Sequence, residues 1–203
     1  QNRFHWIGKH IRKSKPDYIV HIGDFSSLDS LSFFQKNSTQ QGKLKDAFMV
    51  DITSMKSALK ILDKYVVDYP RHFCMGNHEL RIHRFEENIP EIQGMMKHQL
   101  YSSFKEYGWS VSEYGEFKFI AGVGFVHAPL NIMGKEYGGK NGEVQIGNDS
   151  IHVGCSLPHG HIEEYAKLNM NGWSWCVTEL GIWDNHIQEV NFISMDRLER
   201  EYD

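Results

Sequence analysis

The sequence has little of what marks a secreted, membrane-spanning or nucleic-acid-coating protein. Its three cysteines, Cys74, Cys155 and Cys176, are odd in number and widely spaced, so they favour a reducing compartment, the cytoplasm, over a disulfide framework. No apolar run approaches the roughly 18 residues of a membrane span, and no signal peptide is visible, so no membrane partner is expected. The formal net charge of −4 provides no global positive field for nucleic acid, which leaves only a local basic patch for that purpose.

What the sequence does contain is enough for a folded core. Its 203 residues are 40% hydrophobic and 13% aromatic, which predicts one globular domain over residues 1–203 rather than a disordered chain. No internal repeat and no dividing linker is visible. The twelve histidines are numerous enough to supply a metal site.

The first half alternates helices with short apolar runs. Phe48, Ile52, Met55, Leu59, Leu62 and Val66 recur at steps of four and three, which predicts an amphipathic helix that packs on the core. The predicted order is a helix over 2–15, a strand within 18–24, loop over 26–43, a helix over 44–67, a strand within 71–77 and helix over 79–107. Such alternation is typical of an α/β sheet with its site at the carboxyl ends of the strands.

From residue 108 the pattern changes to short strands separated by Gly, Asn and Asp. The predicted strands lie in "WSVSEYG", "FKFIAGVGFVHAP", "SIHVG", "HIEEYAKLN", "WSWCVTEL" and "HIQEVNFISM". Trp173 and Trp175 alternate along one of them, which favours packing on a sheet face over stacking on nucleic-acid bases.

Four apolar runs end in residues that bind metals or move protons. They end in Asp24, in Asn77 with His78, in His127 and in Cys155, and in three of the four a glycine directly precedes the polar residue or pair. Glycine allows a sharp turn and a close approach of the backbone to an ion. We therefore expect these residues to form one site.

In these motifs the chain resembles the calcineurin-like metallophosphoesterases, and most of all their phage and bacterial members. The family pattern is D-x-H, then G-D, then G-N-H-[DE], then a lone histidine, then G-H-x-H. The chain matches the middle three with Gly23-Asp24, "GNHE" over 76–79 and His127. The resemblance implies a four-layer α/β/β/α sandwich and a divalent-metal site for hydrolysis of phosphate esters.

The resemblance also implies a role for each matched residue. Asp24 corresponds to the carboxylate that bridges two ions about 3.5–4 Å apart. Asn77 and His127 correspond to ligands of the second ion, and His78 to the residue that protonates the leaving oxygen or stabilises the transition state. Glu79 would orient His78 from outside the metal's ligand sphere.

Two further expectations concern the residues that contact the phosphate and the metal that the site binds. Arg81 and Arg84 are candidate phosphate contacts, with a solvated helix face as the alternative. The implied cofactor is manganese, with zinc, iron or nickel as alternatives, at one or two ions per chain.

The chain departs from the family pattern twice. It starts at Gln1, in the helix that follows the family's D-x-H strand, so we expect that this strand belongs to an upstream segment or to another chain segment. In "VGCSLPHGH", Cys155 stands at the first histidine of G-H-x-H and Leu157 at the second. Cysteine binds soft ions such as zinc as the thiolate, whereas leucine binds none.

Three explanations of the second departure stay open. The site is degenerate and holds one ion or none, which we favour. Alternatively, His159 and His161 supply the H-x-H pair four residues later, or His152 contributes a ligand.

Two functions therefore compete. The first is metal-dependent hydrolysis of a phosphodiester or phosphomonoester, with a nucleotide or nucleic acid as the expected substrate. The second is a catalytically impaired member of the same fold that acts as a binding or scaffold module.

Overall fold

The computed structural model describes residues 2–31, 41–129, 145–146, 151–157 and 174–203. The helices are α1 (Asn2–Ser14), α2 (Gln41–Val66), α3 (Leu80–Glu86), α4 (Met95–Glu106) and α5 (Met195–Tyr202). The strands are β1 (Ile19–His21), β2 (Arg71–Cys74), β3 (Ser110–Ser112), β4 (Lys118–Ile120), β5 (Val123–Phe125), β6 (Gln145–Ile146), β7 (Ile151–His152), β8 (Cys176–Trp183) and β9 (His186–Ser194).

Most of the predicted elements are confirmed in kind. The helix predicted over 44–67 begins earlier, at Gln41, and the long helical stretch predicted over 79–107 is divided into α3 and α4. The sequence interpretation missed α5, while the strand predicted in "HIEEYAKLN" lies outside the described residues. The mixed helix and strand content agrees with the α/β class, and the four-layer sandwich stays a prediction.

The chain forms two compact units. The first consists of Gln1–Lys15, Phe119–Val123 and Tyr137–Asp203, and the second of Pro16–Lys118 and Gly124–Glu136. The prediction of a single domain over 1–203 stays a prediction.

The second unit is built on a parallel sheet with the strand order β1-β2-β3. Every residue of the central strand β2 is buried, as a strand covered on both faces requires. Because all three strands run in the same direction, the segments that follow them begin at the same edge of the sheet. The predicted apolar stripe of α2 is buried in the core, at Phe48, Ile52, Met55, Leu59, Leu62 and Val66.

Two buried charged residues form hydrogen bonds with unpaired backbone groups at helix ends, Glu86 at the start of α4 and Arg71 near the end of α2. The carboxylate of Glu86 accepts the backbone N–H groups of Gly94, Met96 and Lys97, so it satisfies donors at the start of α4 that the helix itself leaves unpaired. The buried guanidinium of Arg71 does the same for carbonyls near the end of α2. Its partners are the carbonyls of Val66, Val67, Tyr69 and Tyr107 and the carboxylate of Asp63.

The first unit contains the antiparallel hairpin of β8 and β9. Asp184 and Asn185 connect the strands with φ values of 52° and 63°, the two left-handed residues that a type I′ turn requires. Trp6 of α1 packs in a buried cluster with Ile193, Met195 and Leu198. Trp175 packs against this cluster, which confirms its predicted structural role, and Trp173 lies outside the described residues.

Cys74, Cys155 and Cys176 are all free thiols. In the part of the chain that the structure describes, no helix combines the length and the apolar character needed to cross a membrane.

His72 in β2 is a buried histidine that folding keeps neutral. Its Nδ1 lies 2.7 Å from the Ser110 hydroxyl oxygen, and its Nε2 is buried with no hydrogen-bond partner among the described residues. Burial, and secondarily the positive charge of Lys118, lowers the pKa of His72 to about 4. Protonation would therefore place an unpaired charge inside the sheet.

We predict that His72 makes the fold sensitive to acid. The unfolded chain binds this proton at its ordinary pKa near 6.5 and the folded chain only near 4, so stability is lost as the pH falls through this window. Relative to His72→Asn, the unaltered protein should lose about 3 kcal/mol between pH 7 and pH 4 in urea titrations. The exposed His98→Asn is the control, and equal pH profiles for all three proteins would contradict the assignment.

Candidate active site

The segments that follow β1 and β2 meet at Gly23 and Gly76. A Cβ atom on Gly23 would lie 2.7 Å from the Cα of Gly76 and 2.6 Å from Nδ1 of His127, and a Cβ on Gly76 would overlap Asp24. Gly23 also has a φ of 92°, which side-chain-bearing residues rarely adopt. The two glycines therefore allow the polar residues after both strands to approach each other.

Glu79 ties these two segments together. Its side chain is fully buried, and its Oε2 accepts the backbone N–H groups of Asp24 (2.9 Å) and Gly76 (2.9 Å). Its Oε1 accepts those of Phe25 (3.0 Å) and Ser26 (3.2 Å). One carboxylate thus satisfies four main-chain donors at the ends of two strands.

The charge of Glu79 is costly where it lies. Burial first, and the negative charge of Asp24 second, raise the pKa of Glu79 to about 7, although the backbone N–H groups oppose the shift. A cation bound beside Asp24 would offset the repulsion between the two carboxylates.

Asp24 is held in a strained conformation with its carboxylate directed into the site. Its φ of 54° lies in the left-handed region, which Asp tolerates better than most residues but still at a cost. Its Oδ1 accepts the backbone N–H of His78 at 3.0 Å, and its Oδ2 lies 3.5 Å from Nε2 of His127. A quarter of the side chain, 25%, is exposed, so an ion from solvent can reach it.

His127 directs one ring nitrogen towards two oxygen atoms. Its Nδ1 lies 2.5 Å from the carbonyl oxygen of Ile22, which can only accept, so this nitrogen carries the proton. In the neutral imidazole Nε2 then has no hydrogen, yet it lies 3.0 Å from Oδ1 of Asn77 and 3.5 Å from Oδ2 of Asp24. In that state the lone pair of Nε2 faces two oxygen atoms that also carry lone pairs.

This donor set fits a divalent cation. A carboxylate, an amide oxygen and an imidazole Nε2 whose Nδ1–H is held by a carbonyl form a familiar ligand arrangement in metalloproteins. Among the described residues no group of three His, Cys, Asp or Glu side chains could hold a metal, so a metal at this place would also need the amide of Asn77 beside Asp24 and His127.

The structure places the other residues predicted next to this motif as follows. The buried imidazole of His78 has its Nε2 4.0 Å from Oδ2 of Asp24. Its predicted orientation by Glu79 stays a prediction. Nη1 of Arg81 donates to the carbonyl of Ser27 (2.6 Å) and to Asp29 (3.2 Å), and the exposed Arg84 lies on α3. The phosphate contacts predicted for both arginines stay predictions.

Cys155 is described within the first unit. Its backbone pairs with that of Trp175 in a parallel bridge, and burial raises the pKa of its thiol. His159 and His161 lie outside the described residues, as does the side chain of His152. The predicted part of Cys155, His159 and His161 in binding metal therefore stays a prediction.

The sequence interpretation overlooked two groups that lie beside His127. One is the Ile22 carbonyl, which a sequence pattern cannot reveal because every residue has one. The other is Tyr114, whose ring centroid lies 6.1 Å from that of His127. Its signal was weak but present, since Tyr114 follows β3 as Asp24 follows β1.

A comparison with protein-family models agrees with this geometry. The calcineurin-like phosphoesterase model matches residues 2–184. Comparisons with curated proteins and with solved structures gave no match. The chain belongs to the calcineurin-like phosphoesterase family, whose members generally bind divalent metals and act on phosphate esters.

We predict that Glu79→Gln destabilises the fold. Either orientation of the amide would place its NH₂ group against two of the four backbone donors that the carboxylate now accepts. At pH 8, above the raised pKa, the free energy of unfolding should fall by about 2–3 kcal/mol in urea. The exposed Glu91→Gln should change the free energy of unfolding by less than about 0.5 kcal/mol. A similarly small effect of Glu79→Gln would show that Glu79 does not stabilise the contact between the segments after β1 and β2.

Proposed function

We propose that the chain hydrolyses a phosphodiester or phosphomonoester of a nucleotide or nucleic acid with the help of divalent metal. The observation that carries this proposal is the approach of Nε2 of His127 to the side-chain oxygens of Asn77 (3.0 Å) and Asp24 (3.5 Å), with Nε2 of His78 4.0 Å from Asp24. Family membership supports the general reaction, and the strand-end position supports the location of the site.

In this proposal, Asp24, Asn77 and His127 hold one ion, and the Ile22 carbonyl fixes the tautomer in which Nε2 of His127 is a ligand. The chemistry supplied by bound divalent cation is Lewis-acid stabilisation of phosphoryl charge and a lower pKa of water. Manganese is the proposed metal, with zinc, iron or nickel as alternatives. Ligands of a second ion would come from Cys155, His159 or His161.

His78 would act on the leaving group. Its side chain is only 7% exposed, and its Nε2 lies 4.0 Å from Oδ2 of Asp24. We propose that His78 gives its proton to the leaving oxygen, with Arg81 and Arg84 as candidate contacts to the phosphate.

The test is hydrolysis of bis(p-nitrophenyl) phosphate and of p-nitrophenyl phosphate with added manganese. We expect activity that EDTA abolishes. Asn77→Ala and His127→Ala should each lower this activity about 100-fold, because each removes a proposed metal ligand. The matched control is Asn88→Ala, an exposed asparagine after α3, which should keep full activity.

Metal content by mass spectrometry provides a second measurement that does not depend on turnover. Asn77→Ala should retain less manganese than the unaltered protein. Activity that survives EDTA or Asn77→Ala would contradict the proposal. A folded protein that binds manganese but hydrolyses neither ester would favour the catalytically impaired binding module instead.

A further inference from the structure

The third strand of the parallel sheet also contributes a side chain to the edge where the site lies. Asp24 follows β1, and Asn77 and His78 follow β2. β3 is parallel to β2 and ends at Ser112, so Tyr114 lies in the segment that leaves the same edge. Tyr114 has no role in the proposed hydrolysis.

Tyr114 is presented by a tight turn. The backbone N–H of Glu116 donates to the carbonyl of Glu113 at 3.0 Å, and Gly115 has a φ of 78°, as the third residue of a type II turn requires. The Glu116 carboxylate also accepts the backbone N–H of Glu113 at 2.9 Å. These bonds close the turn on both sides and hold Tyr114 at its tip.

The turn is also anchored to a helix. Nζ of Lys97 in α4 lies 3.0 Å from a carboxylate oxygen of Glu113. The half-buried ring of Tyr114 lies 6.1 Å from His127 between centroids, at an interplanar angle of 46°. An aromatic ring is thus held beside the histidine that we assign to the metal.

We propose that Tyr114 forms the aromatic side of the phosphoester site and selects substrates whose phosphate carries a planar organic group, an aryl group or a nucleobase. This inference rests on the proposed function. The phosphate itself requires cations and hydrogen-bond donors, whereas a phenol ring provides an apolar face that every planar ring can stack on. Tyr114 would therefore contact the organic part of the ester.

The test compares two non-hydrolysable ligands that differ in that organic part. Binding of phenylphosphonate and methylphosphonate to the manganese-loaded protein is measured by calorimetry. Tyr114→Ala and Tyr114→Leu should each weaken phenylphosphonate binding about 10-fold and leave methylphosphonate binding unchanged. Tyr114→Phe should keep both affinities, because it keeps the ring.

The matched control is Tyr18→Ala, a half-buried tyrosine directly before β1 and therefore at the opposite edge of the same sheet. It should leave both affinities unchanged. An equal loss of both ligands in Tyr114→Ala and Tyr114→Leu would overturn the inference, because it would mean that the ring only positions His127. Unchanged binding of both ligands in these two variants would overturn it as well.

The same experiment separates this inference from the proposed function. If methylphosphonate binds only with metal and Asn77→Ala abolishes this binding, the phosphate site is supported independently of the results for the Tyr114 variants. An unaltered, folded protein that binds neither ligand in the presence of manganese would overturn the phosphate site and the inference together.

Discussion

The candidate site depends on one buried carboxylate that holds two loops together. Glu79 accepts four backbone N–H groups, three from the segment after β1 and one from the segment after β2. Without these acceptors the buried donors would be unpaired, and the left-handed conformation of Asp24 would lose the bond that holds it. The cost is electrostatic, because burial and the neighbouring charge of Asp24 both disfavour the ionised form of Glu79.

The same geometry explains why a cation suits this place. Nδ1 of His127 lies against the Ile22 carbonyl, and Nε2 faces the oxygens of Asn77 and Asp24. Where Nε2 carries no hydrogen, its lone pair and these two oxygens repel one another unless a positive charge lies among them. A divalent ion would relieve this repulsion and also offset the charge of Asp24 that Glu79 experiences.

Much of this could be predicted from the residues because the relevant signals are local. The period of the α2 stripe, the apolar run of β2 and the glycines before Asp24 and Asn77 each act within a few residues of chain. The elements that were missed or misjudged depend on partners outside that range, from 8 residues away to the opposite end of the chain. The break between α3 and α4 is stabilised by the side chain of Glu86, and α5 buries Leu198 against Trp6 from the other end of the chain.

The sequence by itself determined the class of fold, the family and which side chains could bind metal, because a ligand's chemistry and its place after a strand are written in neighbouring residues. Only the tertiary structure decided what those side chains touch. It gave Glu79 its four main-chain partners, directed Nε2 of His127 towards Asn77 and Asp24, and brought Tyr114 beside His127. The contacts of Glu79 with the segment after β1 and of His127 with Asn77 join segments 50 or more residues apart, and Tyr114 meets His127 across 13 residues, so no local pattern specifies them.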